Sequence, residues 1–122
     1  MSDTTQLTTE KIAQYRVELA DNTDALAALD VIEECEGNLQ DAIILMRMRE
    51  TGTEPDKSLD LLDLDELATK CRPFICSAKT KKVFKLIGIV AGCLQFPVTL
   101  VVPVVLFVVE DIGLDAFCKE TD

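Results

Sequence analysis

The 122-residue chain has no histidine, no tryptophan and one tyrosine, and aromatic residues make up only 5% of it. Lacking histidine, it is without the side chain that most often serves as a general base near neutral pH and as a neutral metal ligand. No D-x-D-x-D-G loop, Gly-rich phosphate loop, nucleophile elbow or Ser/His pair occurs. The usual residues for calcium binding, phosphate cradling and acyl transfer are therefore missing. Cations are scarce as well: 12 Lys and Arg stand against 22 Asp and Glu, a net charge of −10. A general nucleic-acid binder needs the opposite balance to neutralise phosphates. The expectation is a protein with no catalytic residues, no cofactor and no metal site, and nucleic acid is disfavoured as a partner.

What is present is segregated. Apolar residues make up 48% of the chain and the mean hydropathy is +0.21, high for so acidic a composition. Residues 1–70 carry a net charge of −11 and residues 71–122 a net of +1. The second part contains Leu86 to Val109, 24 residues with no ionisable group other than Cys93. A polar stretch with Gly52 and Pro55 reads as a linker. The first 24 residues are polar and acidic and do not read as a secretory leader. The expected division is a helical domain over 1–50, a linker over 51–59, and a connector helix with a basic stretch over 60–82. An apolar segment over 83–112 and a short acidic tail over 113–122 follow.

The first 50 residues read as three helices. Thr8 and Thr9 are N-cap candidates before Ile12, Tyr15, Arg16 and Leu19, whose spacing of three and four makes one stripe. Asn22-Thr23-Asp24 supplies a break and a new cap, and Ala25, Leu26, Leu29, Val31 and Ile32 form the next apolar face. Gly37 suits the left-handed conformation that ends a helix, and Asn38 can cap the third helix. Leu39, Ala42, Ile43 and Met46 then repeat at helical spacing, with Arg47 and Arg49 in the last turn, where cations are favoured.

The run from Ala28 through Gly37-Asn38 and Ala42-Ile43 to Leu45-Met46-Arg47 resembles the second and third helices of the ubiquitin-associated (UBA-like) fold. It is especially similar to the N-terminal domain of elongation factor Ts. The likeness covers about residues 9–50 and makes Gly37, Asn38 and Ala42 the fold-defining turn. It implies a small three-helix bundle that makes protein–protein contacts. Nothing after residue 50 looks like the exchange-factor core, so nucleotide exchange is not implied. Asp21-Asn22-Thr23 stands where many UBA domains carry their Met-Gly-Phe-type ubiquitin loop.

Leu86 to Val109 exceeds the ~20 apolar residues that cross a ~30 Å hydrocarbon layer as a helix. Lys79, Lys81, Lys82 and Lys85 precede it and Glu110, Asp111 and Asp115 follow, which places the N-terminal domain in the cytoplasm by the positive-inside tendency. Gly88 and Gly92 have the spacing of close helix packing in membranes. Pro97, Pro103 and Gln95 interrupt the run. Three forms are consistent with it: a kinked single span, a re-entrant or surface-lying hairpin broken near Gln95-Phe96-Pro97, and a soluble core. The N-terminal domain looks too small to cover the segment, so the soluble form is expected to need a dimer or a partner.

In the connector, Asp63 and Glu66 read as a capping box on a short helix that ends at Cys71-Arg72-Pro73. The five cysteines, at 35, 71, 76, 93 and 118, match no zinc spacing. Cys35 and Cys93 fall on apolar faces and read as core. Cys71 and Cys76 are the candidates for a redox role, by closing a small loop, or for lipidation beside the membrane. The odd count favours reduced thiols. Glu33, Glu34 and Glu36 read as a solvated face.

The leading expectation is a mainly α protein: a UBA-like head that recruits an unknown protein partner from a membrane anchor. Two alternatives stand beside it. One is a soluble homo-oligomer with 86–109 as its buried interface; the other is a translation-linked accessory protein.

Overall fold

A computed structural model describes residues 6–51, 63–78 and 80–119. Most of the linker, Gly52, Leu61, Leu62, Lys79 and the end of the acidic tail lie outside the described residues. The chain is mainly helical, and among the described residues there is no strand beyond an isolated bridge between Gln6 and Asn38. The helices are α1 (Thr9–Glu18), α2 (Thr23–Glu34), α3 (Leu39–Thr51), α4 (Leu64–Lys70), α5 (Arg72–Ala78), α6 (Val83–Leu94), α7 (Val98–Leu106) and α8 (Leu114–Lys119). A π-helical turn, Phe107–Ile112, joins α7 to α8.

Local chemistry starts the first three helices. The Thr8 hydroxyl accepts from the Lys11 N–H at 3.1 Å, and the Asn22 side chain accepts from the Ala25 N–H at 3.0 Å. Asn38 does the same for the Asp41 N–H at 2.9 Å. Each satisfies a donor that the first helical turn leaves unpaired. Asp63 likewise caps α4, accepting from the Asp65 N–H at 2.9 Å.

Gly37 adopts φ +86°, and its carbonyl accepts from the Leu7 N–H at 2.9 Å. A Cβ on Gly37 would stand 2.1 Å from the Leu7 carbonyl oxygen. Both the backbone angle and the contact therefore require glycine. Ala42, on the following helix, is fully buried.

The apolar run is the centre of the molecule. Every residue of α7 from Leu100 to Leu106 is buried, and the helix packs against α2, α3, α4 and α6. A helix that is apolar all round needs an apolar surrounding on every side, and here the protein core supplies it. Burial contributes roughly 1.5–3 kcal/mol for each such Val or Leu side chain, an upper estimate against a compact unfolded chain. The expectation that the head is too small to cover this segment is corrected here. α2 and α3 supply one wall and α4 and α6 the rest, so one chain buries α7 without a second copy.

The apolar run is not one continuous helix. The run breaks where Gln95 turns left-handed (φ 58°) and Pro97 starts α7, and the two helical arms meet at a bend of 116°. Among the described residues no single helix is long and apolar enough to cross a membrane; the bent pair Val83–Leu94 and Val98–Ile112 passes by length and composition together. Pro103 sits inside α7 and leaves the Thr99 carbonyl without its helical donor.

Four cysteines form two disulfides, Cys71–Cys93 and Cys76–Cys118, with Cα–Cα distances of 6.0 and 5.5 Å, and Cys35 is free. The small loop expected between Cys71 and Cys76 does not form, and Cys93 is a bridge partner rather than core filling. The connector helix, α4, ends at Cys71 as the sequence indicated, and a second short helix, α5, which the sequence reading did not include, starts at Arg72. Pro73 lies in the first turn of α5, where its missing N–H would have had no helical partner.

Candidate functional site at the corner of α1 and α2

A hollow on the described surface lies where α1 hands over to α2. The Leu19 N–H donates to the Tyr15 carbonyl at 2.8 Å and closes α1, and the Asn22 N–H donates to the Leu19 carbonyl at 2.9 Å and reverses the chain. Phe84, from α6, stands across from this corner. Together Glu18, Leu19, Asp21, Asn22, Thr23 and Phe84 line a cavity of about 430 Å³. Its charged lining residues are Glu18 and Asp21, both exposed carboxylates, with Asp24 in the next turn. Phe84 is 50% exposed, and Val17, on the preceding turn, is 78% exposed. An apolar wall beside uncompensated carboxylates suits an apolar side chain flanked by Lys or Arg. The sequence had marked Asp21-Asn22-Thr23 only as the bend of a UBA-like fold. Phe84, more than 60 positions away, carried no signal of its place there.

Elsewhere the head is tied together by ion pairs. Arg16 reaches Asp30 at 2.7 Å and Glu33 at 2.5 Å, and Arg49 reaches Glu34 at 2.8 Å. The hydrogen bond from Arg49 holds the Glu34 carboxyl below its usual range. The face of Glu33 and Glu34 is thus a set of solvent-screened surface pairs, which contribute little to stability.

A part-buried polar link joins α1 to the π-turn. Tyr15 donates its hydroxyl to Glu110 in the π-turn, and the Lys11 ammonium lies 3.6 Å from the same carboxylate. Burial, followed by the bond to Glu110 and the negative charges of Glu110 and Glu18, raises the Tyr15 pKa well above that of a free phenol. The stripe position of Tyr15 was legible from sequence. Its partner was not, although a buried tyrosine hydroxyl nearly always has one.

The other residues singled out from sequence fall as follows. Gly37, Asn38 and Ala42 meet at the α2–α3 turn. Gly88 and Gly92 are exposed on α6, and among the described residues a Cβ on either would meet no atom within 4 Å. Cys71 and Cys76 are in disulfides, so neither sulfur is available for acylation in this form. The Cys35 thiol has its pKa raised by burial and by Asp41 and Glu34, which makes it a poor nucleophile. Among the described residues no group of three or more His, Cys, Asp or Glu converges to hold a metal ion.

No known protein family, curated protein or solved structure matches the chain.

Proposed function

We propose that the chain is a non-enzymatic protein-interaction module, with a UBA-like head that receives a partner at the α1–α2 corner. The observation that carries this reading is the cavity of about 430 Å³, with Phe84 as its apolar wall and Glu18 and Asp21 at its rim. The partner it fits is a protein segment presenting an apolar side chain beside Lys or Arg. In pull-downs with the full chain, a partner retained by the native protein should be lost from Glu18→Lys/Asp21→Lys. It should be kept by Gly92→Ala, which alters the far end of α6. Retention by the charge-reversed variant would overturn the reading.

A second reading has its own support. The bent pair of α6 with α7 and its π-turn has the length and composition of a membrane-inserting hairpin. A membrane-resident form would carry the head on the cytoplasmic side. Retention of the full chain in the membrane fraction after alkaline carbonate extraction is the expected result, and recovery in the supernatant would count against it.

A further inference from the structure

Both disulfides run from the same short connector to the two ends of one segment. Cys71 and Cys76 lie five positions apart, where α4 gives way to α5. Their partners, Cys93 and Cys118, bracket residues 94–117: the Gln95–Pro97 turn, α7, the π-turn and most of α8. The most apolar part of the chain is therefore fastened at its entry and at its exit.

The two bridges differ in access. In the first, Cys71 is fully buried and Cys93 is partly exposed, so one sulfur is shielded. Cys76 and Cys118 are both partly exposed, and both line a surface cavity of about 250 Å³ together with Thr80, Lys81, Leu114 and Asp115. The Lys81 ammonium lies at this cavity, 3.4 Å from the Asp115 carboxylate, and both side chains are largely solvent-exposed. A cation beside a disulfide favours the approach of a thiolate and stabilises the thiolate that leaves.

What the exit bridge restrains would have somewhere to go. A lipid interior is as apolar as the core that now holds Val101, Val102, Val104 and Val105, so transfer of α7 between them forfeits little of its burial. The Gln95–Pro97 break already gives the segment a hinge at its entry.

We propose that Cys76–Cys118 is a reducible latch, opened by a dithiol reductant docking at this cavity, and that its opening lets α7 move from the core into a lipid bilayer. The final step rests on the membrane reading above. In the chemistry, a thiolate of the reductant attacks one sulfur of the bridge and forms a mixed disulfide. The other cysteine departs as a thiolate and takes up a proton. The second thiol of the reductant then attacks the mixed disulfide, giving two cysteine thiols and one oxidised reductant. Two electrons and two protons pass to the protein. Cys71–Cys93 persists and keeps the segment tethered at its entry.

The test uses the full chain in two measurements. Thiol counting by mass after maleimide labelling, during limited treatment with a dithiol, should show Cys76 and Cys118 freed before Cys71 and Cys93. Lys81→Glu should slow that step roughly threefold or more, and Asp115→Asn should speed it. Both residues are exposed, so neither change threatens the fold. Flotation with phosphatidylcholine–phosphatidylglycerol vesicles should leave the oxidised protein at the bottom. The protein reduced at 76–118 and the Cys76→Ser/Cys118→Ser variant should float and resist high salt. Simultaneous reduction of both bridges, or no response to Lys81→Glu, overturns the latch chemistry. Selective reduction with neither form floating overturns the proposal through its membrane step. An oxidised protein that already floats overturns the latch and leaves the membrane reading intact.

Discussion

The two halves of the molecule reach the same helical end by different routes. In α1–α3, each helix begins on a side-chain cap, and Arg16 and Arg49 link neighbouring helices across the surface. In α6 and α7 no side chain caps either N-terminus; Lys82 and Pro97 stand there without such a bond. Burial on several sides and covalent bridges hold them instead. The first half is specified residue by residue along the chain. The second is specified by where it is put. The difference teaches that α7 owes its position to the head as much as the head owes its core to α7.

That comparison can be broken most forcefully at α7. Val102→Asp would bury a carboxylate with no partner, and we expect a loss of about 4 kcal/mol or more in urea denaturation, abolishing the helical signal of both halves. The same residue placed at exposed Val17 should change stability by less than ~0.5 kcal/mol. If only the C-terminal half melted in Val102→Asp, the two halves would be separable.

Covalent support comes next. Cys76→Ser/Cys118→Ser opens a loop of 42 positions, and we expect a cost of about 2–4 kcal/mol by denaturation under non-reducing conditions. In the head, Gly37→Val combines a disfavoured positive φ with overlap on the Leu7 backbone. A loss of about 2–3 kcal/mol in the same assay is expected, and a near-neutral result would mean the α2–α3 turn is not fixed by this contact. Asn38→Ala removes a single cap, and should cost about 1 kcal/mol.

The mildest probe reads the joint between the halves. The folded Tyr15 pKa lies above its unfolded value of ~10, so the neutral phenol is the form that the folded state favours. Its contribution to stability is complete below pH ~10 and is lost as the pH climbs through the folded value. Tyr15 is the only tyrosine and there is no tryptophan, so ultraviolet titration of the phenolate reports this one group. Glu110→Gln should lower the titration midpoint while leaving it above that of free tyrosine, since burial, the larger cause, remains. A midpoint unmoved by the substitution would mean the Glu110 bond does not form.

Legibility from sequence follows the same divide. Thr8, Asn22, Asn38 and Asp63 were readable as caps because a cap acts within three residues of itself. Gly37 was readable because a helix end needs a residue tolerant of positive φ. The break at Gln95–Pro97 was visible among the alternatives for the apolar run. The disulfide partners were not, because Cys71–Cys93 and Cys76–Cys118 pair across 22 and 42 positions and depend on tertiary placement alone. The end of α4 at Cys71 was readable, but α5 was missed because Pro73, read as a helix stop, serves equally as a first-turn residue. As for the corner cavity, its bend could be read locally, whereas its aromatic wall, Phe84, arrives from a helix made much later.

The seat of α7 against α2 and α3 also sets an order of events during synthesis. A ribosome completes α1–α3 before it has made any of α7, and at roughly 5–20 residues per second the forty-odd residues between Thr51 and Val98 take ~2–10 s. For that interval the head is finished in sequence but lacks the helix that fills its inner face. The nascent chain therefore presents an open apolar seat before it presents the segment that closes it.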